Sequence, residues 1–126
     1  MKLQKILDRF LRLHPKEIDL SLNRIDRLSK ELGYPQNYLN IISVTGTNGK
    51  YSTSQILKSI LIQAGYKCNV YLSPHIKKIN ERFIFNNKEI SDAKLCKLLL
   101  EVEKVNKQKP ITFFEILTAA FFLGAS

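Results

Sequence analysis

Ile41-Ile42-Ser43-Val44-Thr45-Gly46-Thr47-Asn48-Gly49-Lys50-Tyr51-Ser52-Thr53 is an apolar run that breaks into a glycine-bearing turn, meets a lysine and passes into a helical pattern. It reads as a strand, a phosphate-binding turn and a helix. Glycines let backbone N–H groups crowd round an anion, and the helix that follows adds partial positive charge at its N-terminus. Lys50 supplies a full charge. The general phosphate-loop pattern asks for glycine five residues before Gly49 and a hydroxyl directly after the lysine, where this chain has Val44 and Tyr51. The competing reading is an ordinary strand-to-helix turn with a solvated lysine. Two glycines, two polar side chains and a cation at a strand's carboxyl end, where open α/β sheets bind ligands, favour the phosphate site.

Outward from this stretch, the chain reads as packing elements around it. Leu3, Ile6, Leu7, Phe10 and Leu11 mark one face of a helix ending near His14-Pro15. A second helix spans about 21–32, with Leu22, Ile25, Leu28 and Leu32 inward, Asp19 or Ser21 as its N-cap, and Gly33 and Pro35 at its end. After the turn, Ile56, Leu57, Ile60, Leu61 and Ala64 form the inner face of a helix stopping at Gly65, and Cys68 to Leu72 reads as a strand. Strand, helix, strand in this rhythm predicts a βαβ unit with a parallel sheet, which brings Ser73 to the same edge as the turn. On position alone Ser73 is a turn residue. A hairpin is expected at 82–90 through Asn86-Asn87. A helix then follows Ser91, with Leu95, Leu98, Leu99, Val102 and Val105 along one side. Thr112-Phe113-Phe114-Glu115 has the T-x-x-E form of a capping box and opens a nearly apolar helix to Ser126. Such a helix needs cover on several sides, and two parallel strands give little, so the chain reads as part of a larger domain.

At 126 residues, 44% hydrophobic and 25% charged, the chain suits at most one globular domain. Its net charge of +9 comes from scattered lysines, with only Lys77-Lys78 adjacent. A solvated basic surface explains them better than nucleic acid or a membrane. Cys68 and Cys96 have no C-x-x-C spacing, which argues against a zinc or dithiol site and for buried thiols in a reducing compartment. With no leader-like apolar segment and no run of eighteen apolar residues, the expectation is a soluble cytoplasmic protein.

Several separated stretches agree with one family. Leu13 to Leu22 (LHPKEIDLSL), Gly46 to Lys50 (GTNGK), Ala64 to Lys67 (AGYK), Ser73-Pro74-His75, Asn80-Glu81-Arg82, Ile90-Ser91-Asp92 and Thr112 to Glu115 (TFFE) stand in the family's order along nearly the whole chain. On them the sequence resembles the N-terminal part of folylpolyglutamate synthase/dihydrofolate synthase, of the Mur ligase superfamily. The resemblance implies an α/β fold, the N-terminal part of a three-layer parallel-sheet phosphate-loop ATPase domain preceded by two packing helices. Residues 1–126 would be an incomplete ATP-binding domain, without its remainder or the C-terminal domain. The implied activity is an ATP-dependent amide ligase joining L-glutamate to dihydropteroate or to folate polyglutamate tails through an acyl phosphate.

Carried over residue by residue, Gly46, Thr47, Asn48, Gly49, Lys50 and Ser52 would hold ATP, with Lys50 catalytic, and Ser73 would bind Mg2+. Asp19, Leu20, Ser21 and Leu22, with Thr112, Phe113, Phe114 and Glu115, would line the pterin or folate site. Partners would be small molecules, with no nucleic acid or membrane, and the complete protein would be monomeric. The chain departs from the family at Tyr51, where glycine is usual. The family's Glu-Val-Gly-x-Gly-Gly segment, with a further magnesium ligand, is not in these residues. The 126 residues alone are therefore expected to be inactive, part of a multidomain ligase roughly three times longer. Another kind of phosphate-loop NTPase, another Mur-type ligase, or a non-catalytic basic binding module remain the alternative readings.

Overall fold

The computed structural model describes residues 2–15 and 19–126, which form two compact units. The first combines residues up to Asn40 with Asp92–Ser126, and the second is Ile41–Ser91. Lys16, Glu17 and Ile18, within the resemblance noted above, lie outside the described residues.

The first unit is helical. It contains α1 (Lys2–Leu11), α2 (Asn23–Glu31), a 3-10 turn at Pro35–Tyr38, and two further helices that we number α4 (Asp92–Asn106) and α5 (Phe113–Ala125), after α3 of the second unit (Lys50–Gln63). The α1 stripe buries Leu3, Ile6, Leu7 and Phe10 and leaves Leu11 outside. These side chains join Leu28 of α2, Leu95, Leu99 and Val102 of α4, and Ile116, Leu117 and Ala120 of α5 in one core. Leu22, expected inward, lies before α2 and is largely exposed. The helix starts two residues later than expected. Ser21 Oγ accepts a long 3.5 Å bond from the Asn23 N–H, and Asp19 Oδ1 accepts from the Ser21 N–H at 3.1 Å.

Polar ties fix the register of these helices. Arg9 of α1 grips Glu103 of α4 through two bonds of 2.7 and 2.8 Å. Arg27 of α2 donates at 2.8 Å to the buried Asn106 at the end of α4, whose amide in turn donates to the Lys109 carbonyl. Asn106 thereby satisfies its side chain in a place without water, and fixes the turn from α4 towards α5.

The second unit differs from the expected βαβ arrangement. Its sheet is antiparallel, in the order β1 (Val70–Tyr71), β2 (Phe83–Phe85), β3 (Lys88–Glu89), with Val70 opposite Ile84 and Ile84 opposite Glu89. Residues 41–44 form no strand. The hairpin falls where expected because Asn86 and Asn87 take φ of 53° and 65°, the left-handed pair that a tight two-residue turn requires. A local hairpin closes with two turn residues, whereas a parallel pair is stable only between covered faces. Such cover is lacking here: Ile41, Ile42, Ile56 and Ile60 are all more than half exposed, and α3 has no fully buried residue. The expected inner face of α3 is thus an open one. Its end at Gly65, φ 89°, is as read from the sequence.

The segment after β1 is organised by Glu81. Its carboxylate accepts from three successive backbone N–H groups, those of Ile76, Lys77 and Lys78, at 2.9–3.0 Å. Asn80, buried, donates to the Ile90 carbonyl and ties the same turn to the end of the hairpin.

Two outcomes follow from this packing. Leu99→Ala empties a fully buried site and should lower the unfolding free energy by about 2–5 kcal/mol in a urea titration, while Arg9→Gln, at the surface, should cost less than about 1 kcal/mol. For Glu81, the N–H groups of Ile76 and Lys78, then Lys77, hold the carboxyl below its ordinary value. Because the folded value is depressed, its stabilisation is present above about pH 4.3 and is lost as pH falls through the lower folded value. In NMR titrations the amides of residues 76–78 should shift together below that pH, and Glu81→Ala should remove the shift and speed their exchange.

Candidate functional site

The glycine turn has the backbone that its composition demands. Gly46 takes φ 142° and Gly49 φ 77°, and Gly49 caps α3, its carbonyl accepting from the Thr53 N–H at 2.9 Å. An added Cβ at Gly49 would meet nothing within 4 Å, so the requirement there is conformational and not one of space. Lys50 is the first residue of α3, where N–H groups have no partner within the helix.

Lys50 and Ser73 line the same cleft of about 680 Å³ in the second unit. One wall is the first turns of α3 with Lys50, Tyr51, Ser54 and Lys58, and the other is Tyr71 to Pro74 with Ile76, Glu81, Ile84 and Glu89. Ser73 arrives there from the end of an antiparallel edge strand, and the parallel edge expected from the sequence is not what brings it. Gly46, Thr47, Asn48, Gly49 and Ser52 are exposed and do not line this cleft. Tyr51 does line it, with its side chain largely exposed. Beside the cleft, His75 Nδ1 accepts from Arg82 Nε at 2.9 Å. Burial and then the Arg82 charge push the imidazole below its ordinary value, against an opposing pull from Glu81.

The other candidate residues fall in the first unit, and they meet through a residue that the sequence reading passed over. Thr112 and Glu115 form the expected capping box: Thr112 Oγ1 accepts from the Glu115 N–H at 3.2 Å, and Glu115 Oε1 accepts from the Thr112 N–H at 3.1 Å. The Thr112 hydroxyl also donates to Glu115 Oε1 at 2.8 Å. Arg24 of α2 then approaches the same carboxylate, Nε to Oε1 at 2.9 Å and Nη2 to Oε2 at 3.4 Å. Its Nη2 also donates to the carbonyls of Asp19 and Ser21 at 3.1 and 3.5 Å and lies 3.5 Å from Asp19 Oδ1. The Glu115 bond, ahead of Asp19, raises the guanidinium above its ordinary value. Asp19 is also 3.7 Å from His14 Nε2.

The segments 19–22 and 112–115, ninety residues apart, are therefore joined by one side chain. In these segments Leu20 and Leu22 are mostly exposed, and Phe114 is partly so, while Thr112 and Glu115 are buried. Arg24 had no mark in the sequence, since an arginine in the first turn of a helix reads as a solvated charge. The capping-box glutamate was the available signal, because a buried carboxylate needs a cation or donors.

Magnesium chelation calls for few protein ligands, because that ion keeps several waters and takes phosphate oxygens. Among the described residues no group of three or more His, Cys, Asp and Glu side chains could hold a metal. A lone hydroxyl such as Ser73 in a cleft that also holds a lysine fits a metal carried in with phosphates, and does not fit one bound by protein alone. No helix of the described residues is long and apolar enough to cross a membrane.

No family model matches the chain. Curated proteins do. It is 36% identical over 107 residues to dihydrofolate synthetase of Saccharomyces cerevisiae, covering 83% of this chain and 25% of the yeast protein. It is 37% identical over 103 residues to dihydrofolate synthase/folylpolyglutamate synthase of Escherichia coli, covering 82% and 24%. Among solved structures, E. coli FolC in complex with DHPP and ADP superposes with a TM-score of 0.88 at 34% identity, over 96% of this chain and 29% of that one. The bifunctional synthase from Yersinia pestis complexed with AMPPNP and Mn gives 0.85 at 31% identity, over 95% and 29%. The chain spans about a quarter of the length of the curated relatives it matches. In sequence and in fold alike, it is homologous to that part of the dihydrofolate synthase/folylpolyglutamate synthases.

Proposed function

We propose that the chain is the incomplete ATP-binding portion of an ATP-dependent ligase that joins L-glutamate to dihydropteroate or to a folate glutamyl tail. The observation that carries this reading is the shared cleft of Lys50 and Ser73, in a chain homologous to synthases whose structures hold ADP or AMPPNP with Mn. A carboxylate is a poor electrophile because oxide is a bad leaving group. Its oxygen attacks the γ-phosphorus of ATP, the bond to the β-phosphate oxygen breaks, and ADP leaves. The glutamate amine then attacks the acyl carbon, phosphate departs with the bonding pair, and the amine loses a proton. Positioning and charge neutralisation supply most of the acceleration in such transfers.

In this assignment the Lys50 ammonium lies against the phosphates and stabilises the charge that moves onto the ADP oxygen. Gly46, Thr47, Asn48 and Gly49 present backbone and side-chain donors, and Ser52 lies in the first turn of the same helix. The Ser73 hydroxyl would be one ligand of Mg2+, which would withdraw charge from the phosphate oxygens. Asp19, Leu20, Ser21 and Leu22 with Thr112, Phe113, Phe114 and Glu115 form the pterin side of the site. The apolar side chains there suit a flat heteroaromatic ring. Tyr51, in place of the usual glycine, lies along the cleft and is largely exposed.

The test is ADP release by the complete protein with and without L-glutamate. Wild type should release ADP only with both glutamate and a pteroyl carboxylate, and Lys50→Ala should lower the rate by about a hundredfold or more. The 126 residues alone should form no product. ADP release that ignores glutamate would favour an NTPase of another role.

A further inference from the structure

We infer that Arg24 is the residue that positions the candidate pterin site, and that Glu115 acts in that site as the anchor of Arg24 and not as a direct ligand of the substrate. This rests on the folate-ligase reading above and names a residue which that reading does not contain.

Glu115 Oε1 already accepts three bonds, from the Thr112 N–H, the Thr112 hydroxyl and Arg24 Nε. The lone pairs of that oxygen are fully committed. Oε2 faces Arg24 Nη2 at 3.4 Å, and the side chain is only 8% exposed. A substrate donor would compete with the guanidinium for this carboxylate, at the expense of a part-buried cation held beside two carbonyls. The geometry instead directs force along the chain: Glu115, held by its own capping box, fixes the guanidinium plane. Arg24 Nη2 then fixes the Asp19 and Ser21 carbonyls. Those carbonyls belong to a stretch with no regular structure, joined to α2 through the Leu22 carbonyl, which accepts from the Asp26 N–H at 3.0 Å. Without Arg24, the Asp19 and Ser21 carbonyls lose these bonds and the 19–22 segment loses its tie to Glu115. Lysine cannot replace it, since a single ammonium lacks the fork that bonds a carboxylate and two carbonyls at once.

A positioning role predicts a particular kinetic split, measured on the complete protein. Arg24→Ala should raise KM for dihydropteroate by about tenfold or more while KM for ATP stays within about twofold. Glu115→Ala should do the same, and the double variant should be no worse than the poorer single one, because both remove the same tie. Arg24→Lys should fall between wild type and Arg24→Ala. It also carries the test if Arg24→Ala fails to fold. Equal rises in both KM values, a fall in kcat alone, additive single effects, or an Arg24→Lys variant with wild-type KM would overturn the inference. Wild-type protein without any glutamate-dependent turnover would instead overturn the functional reading, and this role with it.

Discussion

A buried carboxylate must be satisfied, and in the helical unit the whole arrangement of candidate substrate residues depends on how Glu115 meets that requirement. It is the third residue of a nearly apolar helix, so water cannot solvate it. The capping box supplies two donors from Thr112, which completes the helix N-terminus but leaves the negative charge unbalanced. Arg24 supplies the balancing charge from another helix. The cost of an unpaired buried ion makes this pairing selective, so the contact between α2 and α5 is set by charge as well as by the apolar core.

How much of this could be read in the sequence depended on whether the cause was local. The helices of residues 2–11, 92–106 and 113–125 follow from apolar periodicity and capping residues, and the hairpin from the Asn86-Asn87 turn. Each needs only near neighbours. The glycine turn was legible for the same reason, since positive φ is a property of single residues. The sheet was not. A strand's partner is a long-range choice, and the apolar run 41–44 carries the same composition whether or not a neighbouring strand covers it. Among the described residues it forms no strand, and Ile56 and Ile60 on α3 are largely exposed.

The candidate site divides along the same line. Lys50 was identified from its motif, and Ser73 by resemblance, although the parallel edge expected to bring them together is absent. Of the residues assigned to the pterin side, Thr112 and Glu115 do double duty as cap and as anchor, while Leu20 and Leu22 owe their interest to exposure that packing alone would not favour. Arg24, and the role of Glu81 in ordering residues 76–78, were missed because their partners are, respectively, a glutamate ninety-one residues away and three consecutive amides.

The central claim is that a carboxylate is activated by phosphoryl transfer in the complete protein, and oxygen transfer tests it most directly. Dihydropteroate labelled with 18O in both carboxylate oxygens would be incubated with ATP, L-glutamate and the complete protein, and the inorganic phosphate examined by mass spectrometry. An acyl phosphate intermediate requires one 18O atom in the phosphate released with each amide formed. Phosphate that carries only solvent and ATP oxygens would mean that ATP is hydrolysed by water, and would contradict the ligase account.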